Sequence, residues 1–146
     1  MASAFFSVVA ATPSCVMFER ISDSYAANEA VVFDIKNDSR WPVDVYVNAE
    51  ATSGDGGWTT WPFDIEDGQS ETLERAHPIA KNGRIQMSFD VRKAVLPPLP
   101  TGAQVDVASR VKFRLRADVL KKGETDRRRG SVIYSKEFTI ERPYDR

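Results

Sequence analysis

The sequence predicts an all-β protein, an antiparallel β-sandwich of about eight or nine strands. Three observations carry that prediction. Apolar and polar residues alternate with period two in several separate segments, as in strands with one face on a core and one in water. Gly, Asn, Asp and Pro clusters punctuate the gaps. Apolar spacing of three and four residues, the mark of an amphipathic helix, hardly occurs. Strand lengths and gaps are uneven, which favours a sandwich over a closed barrel. At 146 residues, with no repeat or linker, the chain reads as a single domain spanning 1–146.

The elements follow in order. The stretch "MASAFFSVVAATPSCVMFE" predicts one or two strands bent at Pro13. It has no basic start for a secretory signal, and "TPSC" is a poor lipoprotein box. It is also too short and broken to span a bilayer. Val31, Phe33 and Ile35 then share one face, with Asp34 and Lys36 on the other. Beyond the "NDSRWP" turn, Val43, Val45, Val47 and Ala49 alternate with Asp44, Tyr46 and Asn48. "SGDGG" and Asp67-Gly68 are turn signals, and "TLERAHPIA" has room for one helical turn with His77 in a loop. After Asn82-Gly83, Ile85, Met87, Phe89 and Val91 point inward. So do Val111, Phe113, Leu115, Ala117 and Val119. Past Lys122-Gly123, "VIYSKEFTI" reads as one strand with Val132, Tyr134, Phe138 and Ile140 together on the core side.

Within residues 28–75, "FDIKNDSRWPVDVYV" is followed by a Gly-rich turn, then "WTTWPFDI", then "EDGQSETL". This order resembles bacterial immunoglobulin-like accessory domains, some of which sit beside caspase-like peptidases or on surface proteins. The resemblance implies an immunoglobulin-like sandwich. The paired cysteines of antibody-type domains are absent, so it implies nothing about ligands.

The chemistry available is sparse. Twenty basic residues oppose 21 acidic ones, so no global field points to nucleic acid or an anionic membrane. Cys15, the single cysteine, has no disulfide partner, and His77 is the single histidine. No glycine-bounded nucleophile motif accompanies them, so no enzyme is expected. One His and one Cys do not make a zinc set. Asp55, Asp64, Glu66 and Asp67 read as turn chemistry, and neither a metal nor a cofactor is expected. "LPPLP" at 96–100 reads as a stiff crossover between strands. Asn37-Asp38-Ser39 is formally a glycosylation sequon, relevant only after export.

Two features remain for binding. Trp58 and Trp61 are three apart and so face opposite sides of a strand, one toward the core. The other, with Trp41 or Tyr46, would offer an aromatic platform for a sugar or a peptide. Arg110, Lys112, Arg114 and Arg116 form a solvent-side basic row leading to a tip of Lys121, Lys122, Arg127, Arg128 and Arg129, diluted by Glu124 and Asp126. Glu137 and Glu141 on the following strand are expected to pair with that row. The resulting expectation is a non-enzymatic interaction module, binding a protein partner or copies of itself through a sheet edge and loops. Arg127, Arg128, Arg129, Trp58 and Trp61 would make the contact, and the apolar N-terminal stretch is the strand expected to be exchanged. The alternative is a carbohydrate-binding module using Trp41, Trp58 and Trp61. Nucleic acid is not expected, and the working location is cytoplasmic, with export left open.

Overall fold

The computed structural model describes residues 15–26, 28–52, 56–61, 65, 76–90 and 111–141. The expectations for the first 13 residues, the 96–100 crossover, Arg110 and the carboxylates at 55, 64, 66 and 67 fall outside these residues.

Alternating apolar residues become strands wherever the sequence carries them. In chain order these are β1 (Val16–Glu19), β2 (Ser24–Ala26), β3 (Ala30–Asn37), β4 (Val43–Thr52) and β5 (Trp58–Trp61). Then follow β6 (His77–Ile79), β7 (Arg84–Asp90), β8 (Lys112–Lys121), β9 (Ser131–Tyr134) and β10 (Phe138–Glu141). A single 3-10 turn, Arg127–Arg129, sits between β8 and β9. One sheet has the order β1-β3-β7, and the other runs β2-β10-β8-β4-β5 with β6 added to β4 and β9 to β8. All ladders are antiparallel except β10 with β2.

The core lies between the sheets. Val31, Phe33 and Ile35 from β3 and Met87 and Phe89 from β7 meet Val45, Ala49, Phe113, Leu115 and Ala117 from β4 and β8. Phe113 stacks on Phe138 at 5.9 Å, and Tyr25 meets Phe138 edge-on at 5.4 Å. These contacts hold the β10–β2 flank to the rest of the large sheet.

The described residues form ten strands against the eight or nine expected, and two local readings are corrected. His77 is not in a loop or a helical turn: it lies in β6 opposite Val45 and is buried. The run "VIYSKEFTI" is two strands, not one. β9 pairs with β8 over Arg116–Val119, β10 over Lys112–Phe113, and Leu115 falls at the joint. There the Leu115 N–H donates to Ser135 Oγ (2.8 Å), and Ser135 N–H donates to the Leu115 carbonyl (2.9 Å). A side-chain oxygen thus replaces a backbone carbonyl, which lets the chain change phase without orphaning the Leu115 donor. Ile133 packs inward in β9, Phe138 and Ile140 do so in β10, and Val132 and Tyr134 face solvent.

β4 mirrors this division on its own outer edge, with β6 along Val43–Val45 and β5 along Ala49–Thr52. Both long strands therefore carry two short partners end to end.

At one end of the sandwich a single side chain ties three segments together. Asn37 is 0% exposed. Its Nδ2 donates to the carbonyls of Trp41 (2.8 Å), Ile79 (3.3 Å) and Ala80 (3.2 Å). Its Oδ1 accepts from the Ser39 N–H (3.0 Å) and hydroxyl (2.6 Å). A buried side chain in this role offers no place for a glycan, so the Asn37 sequon is structural. Asn37→Ala leaves several buried polar groups without partners and should cost about 3 kcal/mol, read as a lower urea midpoint. Asn37→Asp should fall in the same direction, because a carboxylate cannot donate to three carbonyls.

Candidate interaction surface

The outward face of the large sheet is built by the alternate residues of β4 and β8. Glu50, directly opposite Arg114, is only 6% exposed and accepts from Arg114 Nε at 2.8 Å. Arg116 lies 3.9 Å from the same carboxylate and 3.2 Å from Asp118. Arg127 reaches down from the tip to Asp118 (3.9 Å) and lies 4.0 Å above the Tyr46 ring. The Arg114 guanidinium is sandwiched between Trp58 (4.2 Å) and Tyr134 (3.9 Å). The basic row is thus cross-strand paired, as alternation implied, but its main partners are on the other neighbouring strand. Among the described residues of the row, Lys112 alone meets one of the expected glutamates, Glu137 at 3.8 Å. Glu141 instead lies on the β10–β2 ladder opposite Ala26. The residue missed was Glu50, although it continues the solvent phase of Asp44, Tyr46 and Asn48.

The arginine tip has its own acids. Asp126 caps the 3-10 turn and accepts from Arg128's backbone N–H (3.0 Å), Nε (3.1 Å) and NH2 (3.1 Å). Arg129 lies 3.8 Å from Glu124. The turn is pressed onto β8 at Gly130, where an added Cβ would stand 2.6 Å from the Val119 carbonyl. All three arginines are exposed, Arg127 the least and Arg128 the most.

The tryptophans separate. Trp61 packs against the core and Trp58 lies on the outer face under Arg114, as their opposite parity requires. Trp41 is at the other end of β4, which at its usual rise is about 30 Å from Trp58. No three-tryptophan platform forms, and the exposed side of Trp58 is occupied by a guanidinium.

Trp41 instead stands between two clefts. One, of about 370 Å³, opens between the sheets and is lined by Val16, Val43, Val119, Leu120 and Gly130, with Lys121 and Arg129 at its edge. The other is shallower and is bordered by Arg40, Lys81, Asn82 and Asp38. Cys15 and Ser39 touch both, whereas His77 lines neither. Lys121 Nζ lies 4.8 Å from the Trp41 ring centroid, which fixes the indole as a wall. Among the described residues, no three His, Cys, Asp or Glu side chains gather to hold a metal ion. No helix among them is long and apolar enough to cross a membrane.

Two outcomes test this electrostatic description. Arg114→Ala leaves the buried Glu50 carboxylate with only the longer Arg116 contact and should destabilise the chain by about 2 kcal/mol in urea, with Glu50→Gln combined with Arg114→Ala recovering part of the loss. At the tip, the Asp126 carboxyl is held below its ordinary range, first by the Arg128 side chain and then by the Arg128 backbone N–H. Because its folded pKa is lowered, the capping contribution is present above the ordinary carboxylate range and is lost as pH falls through the lowered value. An NMR titration should show Asp126 titrating below a free aspartate, with Arg128→Ala moving it upward.

No family model and no curated protein matches this chain. Among solved structures the fold is similar to a chain of the CsuC–CsuE chaperone–tip adhesion subunit pre-assembly complex, from the archaic chaperone-usher Csu pili of Acinetobacter baumannii. The identity is 14% and the TM-score 0.51, over 86% of this chain and 50% of that one. A chain of the Salmonella enterica SafA pilin–SafB chaperone complex gives 13% identity and a TM-score of 0.49, over 98% of this chain and 58% of that one. The chain therefore spans about half the length of these solved chains. At such identity the likeness is one of fold, and the protein is an all-β, immunoglobulin-like sandwich.

Proposed function

We propose that the chain is a non-enzymatic module that binds a protein partner through side chains along the seam between β1 and β9. One observation carries the reading. The large hydrophobic residues exposed among the described ones are Met17 (39%), Trp41 (52%), Val132 (39%) and Tyr134 (48%). All four lie on β1, on β9 or beside Cys15 at the start of β1. A seam bordered by exposed Met17, Val132 and Trp41, with Tyr134 further along β9 against Arg114, has the composition of a recognition face.

The seam itself suggests how contact is made. β1 and β9 belong to different sheets and come within 8 Å between Cα atoms, with no ladder joining them. Inserting a third strand would need roughly 10 Å, so at this seam docking uses side chains over the joint, not an added strand. Support of a coarser kind comes from the Csu likeness, since that solved complex is one of a chaperone with a subunit.

Affinity capture with the purified chain, followed by binary binding of the recovered protein, tests the proposal. Met17→Asp with Val132→Asp should weaken that binding by at least about tenfold while the urea midpoint is unchanged. Wild-type affinity in the double variant, or no recoverable protein partner, would overturn it.

A further inference from the structure

The two clefts beside Trp41 carry a more specific reading, which rests on the proposed protein-binding function. We infer that they form the specificity site of that surface and accept a protein segment that presents an apolar side chain flanked by carboxylates.

The apolar half of the argument is the cleft between the sheets. Val16, Val43, Val119 and Leu120 line it, and the Trp41 indole forms a wall. Leu120 is in the outward phase of β8 yet buried, because the tip folds over it: a Cβ on Gly130 would meet Leu120 Cγ at 3.0 Å. A cleft of about 370 Å³ is near the small end of ligand sites and suits one large side chain.

The charged half comes from counting which cations are already neutralised. Lys121, Arg129, Arg40 and Lys81 surround Trp41 on both sides. Arg40 and Lys81 are exposed and have no carboxylate partner among the described residues. Lys121 has only the indole face, at 4.8 Å. Arg129 has one loose contact, 3.8 Å to Glu124, of a kind that contributes little in water. The single acid at these clefts, Asp38, is engaged by Lys36 at 3.3 Å. This local surplus occurs in a chain whose formal net charge is −1, so it is a property of the site and not of the composition. Elsewhere on the surface, Arg114, Arg116 and Arg127 are each matched by an acid. Cations left unmatched around an apolar cleft complement carboxylates around an apolar anchor.

Nucleic acid fits less well. One indole, held by its own lysine, offers no succession of stacking rings, and a side-chain-sized cleft does not track a phosphate backbone.

A random-peptide display library selected on the purified chain tests the inference. Enriched peptides should place Leu, Phe or Trp next to Asp or Glu and should weaken with added salt. Lys121→Glu with Arg129→Glu should reduce their binding by at least about tenfold, as should Trp41→Ala, while the same reversal at the far end of β8, Lys112→Glu, leaves it unchanged. Circular dichroism of each variant verifies folding. Enrichment without acidic residues, no enrichment, or binding that survives the charge reversal would overturn the inference. So would a single-stranded oligonucleotide bound with the same Trp41 dependence. A captured partner that is lost with Met17→Asp and Val132→Asp but unaffected by the charge reversal would remove this inference and leave the broader function standing.

Discussion

The rest of the Trp41 end depends on one buried amide. Asn37 closes β3, yet its side chain bonds to the β3–β4 turn at Ser39 and Trp41 and to the β6–β7 turn at Ile79 and Ala80. The adjoining backbone adds Asn37 N–H to the Gly83 carbonyl (2.8 Å) and Asp38 N–H to the Cys15 carbonyl (2.7 Å). β3 and β7 belong to the small sheet, and β4 and β6 to the large one. The amide is therefore a clamp between sheets, placed where ladder hydrogen bonds cannot reach. Both clefts inherit their shape from it, because Cys15, Ser39 and Trp41 are all held directly or at one remove. A polar group at such a junction sets which turn meets which, something apolar packing alone specifies poorly.

A second constraint is the shared edge of β8. Two short strands can occupy one edge only if the residue between them keeps its backbone donor satisfied, and Ser135 does so for Leu115. The phase change this permits turns Val132 and Tyr134 outward while Phe138 and Ile140 stay in the core. The exposed seam and the intact core are thus two results of one serine. Without the joint, an uninterrupted strand would have to bury Val132 and Tyr134 or expose Phe138.

Much of the architecture was legible because alternation is a local signal. β3, β4, β7 and β8 carry their inward residues in the phase that the sequence shows, and the opposite parity of Trp58 and Trp61 follows from spacing alone. What was not legible depends on register between distant strands. Glu50 finds Arg114 only once β4 and β8 are aligned, 64 residues apart in sequence. Local alternation instead suggests Glu137 and Glu141, which are closer along the chain. Asn37 looked like a turn residue or a sequon, since its carbonyl partners at 79 and 80 are over 40 positions away. The Ser135 joint was hidden for a related reason: a serine at a phase change is indistinguishable from a serine on a polar face until its neighbour's donor is known. The tryptophans show the converse error. Trp41, Trp58 and Trp61 are neighbours in the sequence, but the long β4 strand carries them to opposite ends of the sheet.

The arginines illustrate how composition and recognition part company. The run Arg127–Arg129 attracts attention as a block of charge, but its members are divided among Asp118, Asp126 and Glu124. Pairing converts such a block into a means of ordering the hairpin tip and pressing it onto Leu120 through Gly130. The cations left unmatched at the clefts, Arg40, Lys81 and Lys121, come from two turns and the end of β8, and no sequence window brings them together. Folding assembles them around Trp41, while Arg129 is delivered to the same place by the acids that bind its neighbours. The charge this surface leaves available therefore follows from which groups the fold leaves unpaired, and not from where the sequence concentrates them.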